Sequence, residues 1–522
     1  MCGIAGIVNF DGAPVDGGVL QRMNHSMRHR GPDGEGIHID GGVGFGHRRL
    51  AIIDPEGGAQ PIVDKRHGLA ITYNGEVYNY PEIRDSLAGD GFKTASDTEV
   101  VLRAYRQWGI DCLERFRGMF AFAIHDQNKN RVFLVRDRIG IKPLYYSVEN
   151  KRLVFASELN AVTVAGGQRS VDPHGLAAYL HYQYVPTPQT IFKNVFKLEP
   201  GTYLEIDLVG GDIRKHTYWT LAPKRRSWNE GALLEELDQI LSGTSHIYAR
   251  SDVPFGVFLS GGIDSSMVTA HMARELEEPV RSFTIGFNEK EVSELPFAAQ
   301  ASRILGTNHH EQMVSSDMAM DVLRRVVWHF GEPFGDSSAI PTYYVSKSAG
   351  EHVKMVLSGD GGDELFAGYM SYPAIFDQFD YGEATFLHRL SRLWRRTGNG
   401  EQTMQQAHDS RRSIFSPGEI GEMVIGTRDF SPPPSPIYPG HGDDFTALQY
   451  QDLKTYLLDD ILTKVDRMSM AHSLEVRVPL LDHKVVEFAF SLPLAARLQR
   501  KSGVGTAVGK YLLKKSAENI FP

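Results

Sequence analysis

Near residue 230 the hydrophobic pattern of this chain changes character, and no single fold accommodates both halves. Before that point, short runs rich in β-branched and aromatic residues are set off by turn residues and read as strands. Arg131–Val135, Pro143–Ser147 and Leu153–Ala156 are examples. One helix interrupts them, from about Thr98 to Trp108. Val100, Val101, Ala104 and Tyr105 form its apolar stripe, and Ser96 or Asp97 can cap it. After Glu230, helical segments alternate with buried runs at Pro254–Leu259, Arg281–Phe287 and Lys354–Leu357. That alternation predicts βαβ units and a parallel sheet. The charged, Pro-containing stretch Ala222–Asn229 reads as the join. From about Arg395 to Gly442 the composition changes again, with Ser431-Pro-Pro-Pro-Ser-Pro436 near the end, and the stretch reads as an insertion or mobile loop. From Leu448 onward the tail reads as mostly helical.

Composition then removes several classes. Lys and Arg total 55 against 64 Asp and Glu, a net charge of -9, which argues against a nucleic-acid binder working through bulk positive charge. Two cysteines, Cys2 and Cys112, exclude a disulfide framework and suit a reducing compartment. No apolar run approaches the roughly 18 residues of a membrane span. Ile4 to Phe10 is broken by Gly6 and lacks a basic segment before it, so it does not read as a signal peptide. The expectation is a soluble cytoplasmic protein with no nucleic-acid or membrane partner, a homodimer being admitted.

The N-terminus carries the first chemistry. If Met1 is removed, Cys2 bears a thiol and a free α-amine on one residue. An α-amine titrates near 8 (about 7.7–8.0), so it can accept the thiol proton at neutral pH. Three further segments cluster in the same half. Arg28-His-Arg-Gly-Pro-Asp33 is a basic turn, and His47-Arg-Arg-Leu-Ala-Ile-Ile-Asp54 runs from basic into apolar. Tyr73-Asn-Gly-Glu-Val-Tyr-Asn79 sets an Asn amide and a Gly N–H where both can face an oxyanion. Asp97, in Ser96-Asp-Thr-Glu99, is on its own better read as a helix cap. His29 and His47 read as packing or turn residues.

Together these segments resemble the glutaminase domain of class II glutamine amidotransferases. Arg136-Asp-Arg-Ile-Gly-Ile-Lys-Pro-Leu-Tyr145 and Ala156-Ser-Glu158 continue the match, in the family's order, over about 1–207. The resemblance implies an α+β N-terminal-nucleophile αββα sandwich. It implies Cys2 as nucleophile, Asn74 and Gly75 as oxyanion donors, Arg49 at the glutamine α-carboxylate and Ile53 among the glutamine-binding residues. Glu76 and Asp97 would take the α-ammonium.

The second chemistry follows the join. Val257-Phe-Leu259 leads into Ser260-Gly-Gly-Ile-Asp-Ser-Ser266 and then an apolar helix. Glycines and a helix N-terminus suit a phosphate, and Ser260, Ser265 and Ser266 add hydroxyls. Asp264 makes sense beside phosphate if Mg2+ lies between them. Ser358-Gly-Asp-Gly-Gly-Asp-Glu364 repeats the theme after another strand, so both loops are expected to face one site beyond the strand ends. Gly503-Val-Gly-Thr-Ala-Val-Gly-Lys-Tyr511 fails the P-loop pattern at Val504 and Tyr511. No Cys/His cluster has zinc spacing. The Met and aromatic residues of 366–376 read as core.

These loops resemble the pyrophosphatase-type ATP domain. With Asp466-Arg-Met-Ser-Met-Ala-His-Ser-Leu-Glu-Val-Arg-Val-Pro-Leu-Leu-Asp482, the whole resembles the glutamine-hydrolysing asparagine synthetase family. The implied layout is a glutaminase domain at 1–207, a linker at 208–229 and an α/β synthetase domain at 230–522. The implied activity is glutamine hydrolysis at Cys2, with ammonia passing inside the protein to an aspartyl-adenylate made from ATP. Amidation of another carboxylate, on a polysaccharide or peptide, is the alternative. The resemblance assigns Phe258, Ser260, Gly261, Gly262, Asp264, Ser265, Ser266, Ile285, Ser358 and Gly359 to ATP and pyrophosphate. It assigns Asp264 and Asp363 to Mg2+ and Asp360 to the adenylate step. Two features depart from it. Gly331–Pro341 lacks an Arg that some synthetases place near aspartate, so Glu332, Asp336 and Asp360 leave the pocket acidic. A basic segment expected after Pro522 is missing, which favours an incomplete C-terminus; otherwise Lys510, Lys514 or Arg467 would substitute.

Overall fold

The computed structural model describes residues 2–521 except 90, 167–168, 277, 289–292, 380–402 and 501–506. Met1, the start of the failed P-loop pattern at 503–506, and residues 395–402 of the expected insertion lie outside the described residues.

Alternating apolar residues drive the first half into two antiparallel sheets. The strands are β1 (Gly3–Asn9), β2 (Gly34–Asp40), β3 (Val43–Arg49), β4 (Ile62–Asp64), β5 (Leu69–Val77) and β6 (Gly118–Asp126). They continue as β7 (Arg131–Arg136), β8 (Tyr145–Glu149), β9 (Arg152–Ala156), β10 (Val195–Lys197), β11 (Thr202–Asp207) and β12 (Ile213–Thr217). One sheet runs β10-β8-β9-β1-β3-β2 and the other β12-β11-β7-β6-β5-β4. Ile4, Val8, Phe45, Ala121, Leu134 and Phe155 fill the space between them. The helices Gly17–Ser26 and Leu159–Val164 cover the first sheet through Leu20, Met23 and Val162. The helix Asp97–Trp108 covers the second through Val100, Val101, Ala104 and Tyr105. The result is the expected αββα sandwich, with the second sheet continuing through β12.

Beyond the helix Glu230–Tyr248 come β13 (Phe255–Phe258), β14 (Arg281–Phe287), β15 (Asn308–Val314), β16 (Met355–Leu357) and β17 (Glu475–Arg477). They form the expected parallel sheet in the order β15-β14-β13-β16-β17. The chain leaves β13 in one direction and returns on its other side at β16. That reversal opens a crevice beyond the carboxyl ends of β13 and β16, where the two glycine-rich loops emerge.

Two regions differ from the sequence reading. β17 lies inside the tail read as mostly helical. It is three residues long, and two of them are charged, so no apolar pattern marks it. Both charges are buried because they neutralise one another, Arg477 Nε donating to Glu475 Oε1 at 2.7 Å. The other correction concerns the expected mobile insertion. Within 403–442 the chain forms helices Met404–Ser410 and Pro417–Met423, each with a capping box. Ile420, Val424 and Phe430 pack on Ala177 and Ala178 of the sandwich. Of the Met and aromatic residues of 366–376, Phe366, Tyr372 and Phe376 are core as expected and Tyr369 packs against them, whereas Met370 is 82% exposed.

The sandwich and the parallel-sheet region share one apolar seam. Leu50, Ile52, Ile53, Met119, Ile139 and Ile141 pack in the same cluster as Leu237, Val257, Leu357 and Leu480.

Candidate active sites

Cys2 precedes β1 and is buried at the sandwich end of the seam. Its backbone N–H donates to Asn74 Oδ1 at 2.9 Å, and its thiol points to the Leu50 carbonyl at 3.9 Å. Burial raises the thiol pKa, opposed by the positive charge at the chain's N-terminus and by Arg49. Asn74 lies on β5 and is fully buried. Its Oδ1 is spent on Cys2, while its Nδ2 has no partner among the described residues. A buried donor left unpaired costs about 1–3 kcal/mol, so this amide is primed for an acceptor beside the thiol. Gly75 follows, and a Cβ there would sit 2.2 Å from the Met119 carbonyl, so only glycine lets β5 pair with β6 in this register.

Arg49 ends β3 and donates to the carbonyls of Ile53, Asp54 and Pro55 at 3.2, 2.6 and 2.7 Å. No carboxylate neutralises it among the described residues, so its charge remains available to an anion. Asp97 is not the cap of its helix. Ser96 caps it, accepting from Glu99 N at 3.4 Å. Asp97 is thereby free to turn inward, where it accepts from Val77 N at 3.1 Å. Burial pushes its carboxyl up to about 6. Burial and Asp97 together raise Glu76 well above the carboxylate range, with Arg477 3.5 Å away opposing. His47 is a core residue, fully buried and lowered to about 3 by burial.

Several residues around this centre escaped the sequence-level assignment. Arg30, fully buried, donates through Nε to the Cys2 carbonyl at 3.0 Å. Its two Nη atoms grip Asp466, on the helix Leu462–Met470, at 2.7 and 2.9 Å. Glu158 takes Arg30 and Arg467 at 3.0 Å each and His29 at 3.0 Å, and the charges facing it hold it well below the usual carboxylate range. Arg30, Glu158 and Asp466 all lie in quoted motifs, but sequence does not show which charges will face each other across a seam. Arg467 is therefore turned toward the sandwich and is no substitute for a phosphate-facing lysine.

In the crevice, β13 delivers the loop 259–262 into the helix Ile263–Glu275. Ser265 Oγ accepts from Ser260 N at 3.2 Å and lies 3.0 Å from Ser260 Oγ, while Ser266 Oγ is buried without a partner. Gly261 has φ +78°, and a Cβ on it would meet Phe297 at 2.4 Å. The second loop packs directly on the first. A Cβ on Gly359 would lie 2.5 Å from Ser265 N, and one on Gly362 would lie 2.3 Å from the Asp264 carboxyl. Both loops thus meet at one place, as expected from their strand-end positions. Phe258 and Ile285 are half-buried on neighbouring strands, while Ser358 Oγ donates to Asp360 at 2.6 Å.

Two carboxylates from the two loops share one cation. Lys510 Nζ bonds Asp264 and lies 2.7 Å from Asp363. Burial pushes Asp264 up to about 6 against the pull of Lys510, and its Oδ1 is buried and unpaired. Mg2+ is commonly held by one or two carboxylates plus phosphate oxygens. This pair, with a free oxygen beside two glycine-rich loops, fits such an ion. Among the described residues no group of three His, Cys, Asp or Glu could hold a metal without a ligand's help.

The acceptor side is less acidic than the sequence suggested. Glu332 is turned away and paired with Lys197 at 3.0 Å. Asp336 is held below the usual carboxylate range by Lys464, whose Nζ reaches Asp336 at 2.6 Å and Ser338 Oγ at 2.7 Å. Lys464 also opposes the burial that raises Asp360. Lys464 was not singled out because only the turn of its helix brings it back to the Gly331–Pro341 segment.

An antiparallel sandwich opening on an N-terminal cysteine, fused to a parallel sheet with two acidic glycine-rich loops at its reversal point, defines an amidotransferase joined to a nucleotide-dependent synthetase. Comparisons agree. Residues 1–219 match the family model described as glutamine amidotransferase domain, and residues 236–522 match asparagine synthase. Asparagine synthetase [glutamine-hydrolyzing] 1 of Bacillus subtilis is 36% identical over the whole chain and 85% of its own length. A putative asparagine synthetase [glutamine-hydrolyzing] of Mycobacterium tuberculosis is 34% identical over the same shares. Amidase chry2 of Gibberella zeae is 28% identical over 99% of this chain and 86% of its own. The chain belongs to the glutamine-hydrolysing asparagine synthetase family, and it is an enzyme of the ligase type.

Proposed function

We propose that this protein makes asparagine from aspartate, ATP and glutamine, with Cys2 as the nucleophile that releases ammonia. The observation that carries the reading is the unpaired Asn74 Nδ2 beside Cys2. With Met1 removed, the α-amine of Cys2 takes the thiol proton. The thiolate attacks the glutamine side-chain amide, and Asn74 Nδ2 and Gly75 N–H receive the oxyanion. Arg49, near Ile53, binds the α-carboxylate, and Asp97 with Glu76 faces the α-ammonium. The Cys2 α-ammonium returns its proton to the amide nitrogen, so collapse of the tetrahedral species expels ammonia and leaves a thioester, which water cleaves to glutamate.

The apolar seam from Leu50 to Leu357 supports passage of neutral ammonia between the centres. In the crevice, Ser260–Ser266 and Ser358–Gly359 hold ATP, with Phe258 and Ile285 against the nucleotide. Asp264 and Asp363 would hold Mg2+, which would supply neutralisation of phosphate charge. Lys510, released from that pair, is within reach of the same phosphates. Lys464 orients the acceptor carboxylate, and Asp360 serves the adenylate step. Ammonia then displaces AMP.

The test is incubation with glutamine, ATP, Mg2+ and aspartate, with products identified by mass spectrometry. Asparagine, glutamate and AMP forming together support the reading. Glutamate alone, with asparagine absent even when ammonium is supplied, sinks aspartate as acceptor. The amidase among the relatives then makes other carboxylates the next to try. We place this chemistry in the cytoplasm.

A further inference from the structure

A second polar cleft lies between the two halves, away from both centres. It has a volume of about 230 Å³ and is walled by Arg138, Glu199, Pro200, Thr202 and Trp219 from the sandwich side and by Tyr450, Leu453 and Lys454 from the helix Asp444–Lys454. Exposed Lys215, Thr217 and Thr220 form its mouth.

The charge of this cleft is unbalanced. Arg138 is buried, and its Nη atoms are spent on the neutral carbonyls of Phe116, Leu113 and Glu114 at 2.6, 3.0 and 3.1 Å. Its Nε has no partner. Arg136, just behind, likewise bonds, among the described residues, only the carbonyls of Lys142, Leu198 and Gly140. Lys454 has no hydrogen-bond or ion-pair partner among the described residues. Burial and Arg136 lower its amine to about 8, with Glu199 opposing. The acids nearby are committed. Glu199 pairs with Lys215, and Asp137 accepts from the backbone N–H groups of Phe120, Ile139, Gly140, Ile141 and Lys142. Asp459 is tied to Thr187 at 2.6 Å and Lys197 at 3.4 Å. Buried cations without a counter-charge are costly, and proteins pair them or give them a ligand.

We propose that this cleft is a binding site for a small anion, with Lys454 and Arg138 supplying the charge and Thr202 and Trp219 the wall. A cleft of this size suits phosphate or a short dicarboxylate. An anion there touches both halves and ties β11, β12 and the chain after them to the helix Asp444–Lys454. The inference is independent of the acceptor assigned above.

The full chain tests it. Limited acetylation near pH 8, where the lowered Lys454 amine is half neutral, is followed by mass spectrometry with inorganic phosphate or succinate added. Modification of Lys454 falls about tenfold at ten times the dissociation constant, while exposed Lys129 is unaffected. Protection by phosphate alone assigns a phosphate site, and protection by succinate alone a dicarboxylate site. As a second readout, the protecting anion raises the unfolding temperature of the wild type, and Lys454→Gln loses most of that rise. The proposal falls if neither anion gives saturable protection, or if K454Q keeps the full rise, because the anion then acts at the glycine-rich loops. Should Lys454 resist acetylation throughout, the thermal comparison decides; should K454Q fail to fold, the protection does.

Discussion

The two centres hold their charges in opposite ways. Around Cys2 the groups available to a substrate are an unpaired amide and a guanidinium bonded only to neutral carbonyls. No ion pair of Arg49 must break before a carboxylate reaches it. In the crevice, the two lysines are already clamped: Lys510 by Asp264 and Asp363, Lys464 by Asp336. A nucleotide and its metal must exchange those pairs, so binding there is a competition between ions. The first site is poised and the second self-neutralised. The contrast fits a division of labour in which an uncharged product leaves the first site and highly charged reactants enter the second.

Substitutions can break that contrast. Cys2→Ala lowers glutamine-dependent synthesis by at least about 10³-fold, since the nucleophile acts as a unit with its base and oxyanion donors. Ammonia-dependent synthesis persists. If both activities fall together in a folded C2A protein, the centres are not separable. Asn74→Ala removes one oxyanion donor and costs about 10²–10³ in glutaminase kcat. A loss confined to KM would show that Asn74 only binds ground-state glutamine. Lys510→Met inverts the pattern: synthesis drops about 10²-fold with either nitrogen donor, as expected for loss of a preorganised charge at developing phosphate negativity, and glutaminase turnover stays. Retained synthesis in K510M would mean that the lysine serves only to neutralise Asp264 and Asp363.

How far each centre was legible follows from the same contrast. The sandwich was readable because its information is local. Cys2, Asn74-Gly75 and Asp97 sit in short motifs, and period-two runs give strands such as Arg131–Val135 nearly as they occur, at Arg131–Arg136. The nucleotide loops were readable for the same reason, as strand, glycines and helix are consecutive. What could not be read is every pairing that depends on the seam. Arg30 with Asp466 spans 436 positions, and Lys464 with Asp336 spans 128. β17 hid because its burial rests on an ion pair rather than on apolar residues. The expected acidity of the acceptor pocket failed because Glu332 and Asp336 were counted without their lysines.

The gentlest probe is pH. Asp97, pushed up to about 6 by burial, is the group at the Cys2 centre whose charge changes in the working range. In the proposed binding mode it is ionised above that value and faces the α-ammonium of glutamine, which itself stays protonated. Below it the carboxyl gains a proton and the attraction is lost. The KM for glutamine therefore rises as pH falls through about 6, approaching about tenfold per pH unit. Ammonia-dependent synthesis has no such term from Asp97. Asp97→Asn mimics the protonated form, so its KM starts high and stays flat over the interval. Steady-state KM measurements on both proteins decide the matter. A wild-type KM that does not change across that range, or a D97N variant that follows the wild-type curve, would move the ammonium contact from Asp97 to Glu76, which lies beside Arg477.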